Sequence, residues 1–75
     1  MEKLAEAAWD YILYRDGERL VLVVACGTVA IYEWAVVLTE AEREVWEAEG
    51  MVGLRFLVQA IRDNPRAFAD RRVEV

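Results

Sequence analysis

From Tyr11 to Leu38 the chain is dense in branched and aromatic side chains, interrupted at two turn-like points, and it predicts three β-strands. Residues 9–15 form the first. Asp16-Gly17 follows as a hairpin signal, because both positions tolerate positive φ. Residues 19–25 are almost entirely Leu and Val, Cys26-Gly27-Thr28 interrupts them, and residues 29–38 complete an antiparallel meander. After Leu38 the period lengthens to that of a helix. Thr39 with Glu42 forms a capping box, so a helix opens at Glu40. Its apolar stripe of Ala41, Val45, Ala48 and Val52 points away from the next stripe of Leu54, Leu57, Val58 and Ile61. One straight helix cannot bury both, and Gly50 and Gly53 stand where a break is needed. Asn64-Pro65 opens a last helical turn through Phe68, residues 71–75 read as a loose tail, and residues 1–8 read as a short frayed helix. The predicted fold is therefore α+β, one small domain over residues 1–75, with a three-stranded antiparallel β-meander packed against C-terminal helices.

Register decides which side chains share a face. A two-residue turn pairs Leu13 with Leu20, Tyr11 with Leu22 and Trp9 with Val24. A three-residue loop at Cys26-Gly27-Thr28 then places Tyr32, Trp34 and Val36 beside Leu20 and Leu22, and keeps Glu33 out of the core. The helices are expected to cover Tyr11, Leu13, Leu20, Leu22, Tyr32 and Trp34. The opposite face would leave Ile12, Tyr14, Val21, Val23, Val29 and Ile31 in water, with Asp10, Arg19 and Glu33 among them. A one-sided antiparallel sheet is ordinarily more polar there.

Composition sharpens that picture. Hydrophobic residues make up 57% of the chain even without glycine, above the roughly 45–50% typical of soluble domains. A chain of 75 residues buries only about 60% of its unfolded surface, so part of the apolar excess is expected at a contact with another molecule. Fourteen acidic against nine basic residues give a net charge of −5, which disfavours anionic membranes and nucleic acid.

The candidate chemistry is thin. The chain has no histidine and one cysteine, which removes the usual general base, paired-thiol metal sites and an intrachain disulfide. Glu40, Glu44 and Glu47 share a helix face and read as solvated, with Arg43 and Glu47 as an i to i+4 pair. Asp10 and Glu33 form an ionic rim with Arg19, and Cys26 is a small turn or core residue. Two of the three tryptophans, Trp9, Trp34 and Trp46, fall on the core face. Arginines 55, 62, 66, 71 and 72 make the last third locally basic and complement helix C-termini.

The string Cys26-Gly27-Thr28-Val29-Ala30-Ile31-Tyr32-Glu33, with Asp16-Gly17 before it and Leu38-Thr39-Glu40 and Asn64-Pro65 after it, resembles short bacterial proteins of similar length. Those motifs are turns and caps, and the resemblance implies no activity and no site residues. The sequence thus predicts a cytoplasmic protein-interaction module without catalysis, cofactor, metal or small-molecule substrate. Self-association is the first expectation, through Ile12, Tyr14, Val21, Val23, Val29, Ile31 and Glu33 and the unguarded edge of the third strand. Two alternatives stand beside it. One is an immunity- or antitoxin-like inhibitor of a basic, nuclease-type partner, suggested by the five glutamates between Glu40 and Glu49. The other is a small nucleic-acid-associated regulator.

Overall fold

A computed structural model describes residues 1–27 and 32–74. It is α+β, with an antiparallel sheet followed by helices, and the sheet has four strands in sequential order: β1 (Glu2–Ala7), β2 (Tyr11–Asp16), β3 (Arg19–Cys26) and β4 (Tyr32–Val37). The additional strand is β1, where a frayed helix was expected. Its register slips between Lys3 and Ala5, so Leu4 and Ala5 are consecutive and both pack toward the main core. A bulge of this kind erases the two-residue alternation that marks a strand and leaves the i to i+4 spacing of Leu4 and Ala8, which reads as helical.

Both turn registers differ from expectation. Asp16 pairs with Arg19, so the turn residues are Gly17 and Glu18, with Gly17 at φ 63°. Positive φ at the first central residue alone is the pattern of a type II′ hairpin, and the Arg19 guanidinium reaches the Asp16 carboxylate at 2.7 Å across it. Leu13 consequently faces Leu22, and Tyr11 faces Val24. On the other side of β3, Cys26 pairs with Tyr32, which leaves five residues between the strands in place of the three-residue loop. Each slip is by an even number of residues, so every side chain keeps its face.

The helix-facing core therefore has the composition expected of it. Leu13, Leu20, Leu22, Val24 and Val36 meet Leu54, Leu57, Val58 and Ile61, all buried. Trp34 packs against this cluster, whereas Tyr32 lies at the end of the sheet and is exposed.

Helix α1 (Glu40–Glu49) starts with the full capping box. Thr39 Oγ1 accepts from the Glu42 N–H, and Glu42 Oε1 accepts from the Thr39 N–H. Val45 and Trp46 are its core contacts, while Ala41, Ala48 and the following Val52 are exposed. The helical half breaks at Gly50, where φ is 71° and ψ −158°, a region essentially closed to other residues. Helix α2 (Met51–Asp63) then turns back against α1. A Cβ on Gly53 would sit 2.7 Å from Val45 Cγ1 and 2.9 Å from Glu49 Cβ, so glycine permits this close crossing.

The tail is tied down. A 3-10 helix (Pro65–Arg71) extends past Phe68. The Arg71 guanidinium then donates to both Glu42 oxygens at 2.7 and 3.3 Å, the Arg72 guanidinium lies 4.3 Å from the Trp34 ring centroid, and the Val73 N–H donates to the Ala35 carbonyl. Arg72 also bridges Val36. The edge of β4 that was expected to be unguarded is thereby covered at Ala35 and Val36.

The outer sheet face is also less exposed than expected. Val21 and Val23 are 0% and 2% exposed. Each is flanked on both sides, Val21 by Tyr14 and Val37 and Val23 by Ile12 and Ala35, and Val73 from the tail packs onto the same cluster. Cross-strand neighbours and the tail thus make a small second core.

Candidate functional site

Between β1 and β2 the chain reverses through Ala7-Ala8-Trp9-Asp10, closed by the Asp10 N–H donating to the Ala7 carbonyl at 3.0 Å. Trp9 has φ 65° and is the one non-glycine with positive φ among the described residues. A left-handed conformation costs an L-residue about 1–2 kcal/mol, and turns that demand it normally use Gly or Asn. Burial does not compensate, since Trp9 is 84% exposed.

The backbone around the turn is held from α2. Arg62 donates from Nε to the Ala25 carbonyl at 3.1 Å and from Nη2 to the Asp10 carbonyl at 3.2 Å, and it pairs with the Asp10 carboxylate. The Ala25 N–H donates to the same Asp10 carbonyl at 2.9 Å. One guanidinium therefore locks the start of β2 to the end of β3, and this network fixes Asp10 while Trp9 projects into solvent. Such over-determined strain is the kind that persists at binding sites.

On the outer sheet face the turn borders a recess of about 390 Å³, within the size range of ligand sites. Its floor is apolar, from Ile12, Val23 and Ala25. The exposed Trp9 ring stands at its edge, Tyr11 and Tyr32 border it from strand positions on the helix-facing side of the sheet, and Glu6, Asp10 and Glu33 supply carboxylates; among the described residues no Lys or Arg lines it. Lys3 Nζ lies 3.1 Å from Glu6 Oε1, and Arg62 holds Asp10. Glu33 is exposed and forms no ion pair among the described residues. A second hollow of about 280 Å³ lies on the helix side of the turn, between Tyr11 and the α2 residues Met51, Val52 and Arg55.

The contact residues named from the sequence fall into three groups. Ile12, Val23 and Glu33 line the recess, with Val23 buried in its floor. Tyr14 is half-buried and Val21 buried in the outer cluster, away from the recess. Val29 and Ile31 lie outside the described residues. Asp10 and Glu33 do line one recess, but Arg19 pairs with Asp16 at the opposite end of β3, so the expected three-residue rim does not form. Trp9 was expected in the core and is the most exposed of the large apolar side chains among the described residues. Trp34 and Trp46 are the two that pack against the core.

The remaining reactive groups are accounted for by packing. Burial pushes the Cys26 thiol up, and the Arg62 charge only partly opposes it. Burial also pushes the Glu42 carboxyl up, but Arg71 and the Thr39 N–H outweigh it and hold the group below its ordinary range. Glu40, Glu44, Glu47 and Glu49 are exposed, with Arg43 Nε 3.5 Å from Glu47 Oε1. Among the described residues no group of three or more acidic or cysteine side chains is placed to hold a metal ion, and no helix is long and apolar enough to cross a membrane.

No protein-family profile, curated protein or solved structure matches the chain.

Proposed function

We propose that the chain is a non-catalytic protein-interaction module that engages its partner with the outer sheet face at the Trp9 turn. The observation that carries this reading is Trp9 itself, a large aromatic ring in a costly backbone conformation and left in water. Tryptophan anchors are enriched among residues that dominate protein interfaces. The recess beside it adds a shaped apolar floor and a polar rim.

Contact through side chains on this face fits better than extension of the sheet. The β4 edge is covered by the tail at Ala35 and Val36, and β1 carries a bulge and the charges Glu2, Lys3 and Glu6, which are devices that discourage edge pairing. A second copy of the chain remains the first partner to test, because two-fold pairing of one face requires no other sequence. An inhibitor of a basic partner is the second reading, favoured by the exposed glutamates of α1 together with the carboxylates of the recess.

Native mass spectrometry of the protein isolated at low salt from cells that make it tests the proposal. An assembly heavier than 8.6 kDa is expected, as twice that mass for a second copy or a larger increment for another protein, and it should be lost in Trp9→Asn and Glu33→Arg. Observation of the monomer alone, or an assembly indifferent to both substitutions, would refute it.

A further inference from the structure

We infer that the recess at the Trp9 turn seats a lysine or arginine side chain of a basic partner protein, not of a second copy of this acidic chain. This inference rests on the interaction reading above and specifies its chemistry. A basic side chain has two parts, an alkyl stem that prefers apolar surface and a cationic head that prefers carboxylates and ring faces. The recess offers the complement of each. Ile12, Val23 and Ala25 give the stem an apolar floor, while the exposed Trp9 ring at the edge offers the head a ring face.

The charge at the rim is asymmetric. Glu6 is occupied by Lys3 and Asp10 by Arg62, and both cations come from this chain. Glu33 is the exposed carboxylate of the lining without an ion pair among the described residues, so an incoming cation has one carboxylate to meet. With no Lys or Arg among the described lining residues and a chain charge of −5, the surroundings favour a cation over an anion or a neutral side chain. The strained turn supplies the specificity: in its left-handed conformation Trp9 stands beside the recess without being packed into the fold.

The test uses the full chain labelled with 15N and follows the Trp9 indole N–H, assigned from its absence in Trp9→Asn. Three capped pentapeptides serve as probes, alike except for a central Arg, Lys or Gln, with spermidine as a free-cation control. The Arg and Lys peptides are expected to shift the Trp9 indole and the Glu33 amide saturably, leaving Trp34 and Trp46 unmoved. Glu33→Gln should weaken binding about tenfold, the size of one charge-assisted contact, and added salt should weaken it further. Equal shifts with the Gln peptide, or none with Arg and Lys up to millimolar concentration, would overturn the inference. Binding of spermidine but not of the peptides would do so too, by making the site one for free polyamines. If the peptides fail while native assemblies are still lost in Trp9→Asn, the interaction reading stands and its chemistry is wrong. If both fail, the reading falls with it.

Discussion

Replacing Trp9 by asparagine and, separately, by valine isolates the backbone strain on which the site rests. Both substitutions remove the indole, which at 84% exposure has little area covered, worth at most about 1 kcal/mol. That loss is common to the two variants and cancels when they are compared. Asparagine visits the left-handed region readily, whereas a β-branched residue at φ 65° is a true outlier. The backbone term of about 1–2 kcal/mol therefore separates them, and Trp9→Asn should lie within about 1 kcal/mol of the parent. For a domain of this size each 1 kcal/mol moves the melting temperature by about 4–8 °C. Urea unfolding followed by far-ultraviolet circular dichroism measures the gap at unchanged m-value. A valine variant as stable as the asparagine variant would show that Trp9 is not held left-handed in solution, and the argument for a strained anchor would fail.

Gly53→Ala should destabilise by about 1–3 kcal/mol, despite a helix-propensity gain of up to about 1 kcal/mol, because the new methyl meets Val45 and Glu49 at 2.7 and 2.9 Å; chemical denaturation reads the sign. For Glu42, whose carboxyl is held below its ordinary range in the folded chain, the added stability is full above the unfolded pKa of about 4.3 and is lost as pH falls through the lower folded value. Glu42→Gln should accordingly be less stable by about 1–3 kcal/mol at pH 7, and its loss of stability in acid should be shallower than the parent's across a pH series of melting curves. Cys26, 2% exposed with its thiol pushed up by burial, should resist a thiol-specific reagent in the native protein and react once urea unfolds it; fast labelling of the folded chain would contradict the packing of β3.

The parts of the fold legible in the sequence were those carried by side-chain alternation and by caps. Leu13, Leu20, Leu22, Val24 and Val36 could be assigned to the helix-covered face without the correct pairs, since both registers slipped by even steps. Thr39 and Glu42 fixed the start of α1, and the break occurs at Gly50 as expected, although of the first apolar stripe only Val45 packs on the core and Ala41, Ala48 and Val52 stay exposed. Long-range contacts were not legible. Leu4 and Ala8 fall at helical spacing while the β1 bulge puts Leu4 and Ala5 on one face and hides the strand alternation, and nothing local showed that Arg71, Arg72 and Val73 would return to Glu42, Trp34 and Ala35. The candidate site was half visible. Ile12, Val23 and Glu33 followed from face parity, but in Ala7-Ala8-Trp9-Asp10 only Asp10 is a residue type that announces a turn, and the left-handed position is taken by Trp9. The signal for Trp9 is its conflict with local preference, and that conflict becomes visible only once the backbone is known.

Site-specific photo-crosslinking in cells that make the protein tests most directly whether the outer face at the Trp9 turn is the contact. A benzophenone amino acid at position 9 or 33 is expected to give one discrete adduct, and the same group at Glu44, on the exposed side of α1, is expected to give none. Adducts from position 44 with none from 9 or 33 would place the interface on the helices and contradict the account.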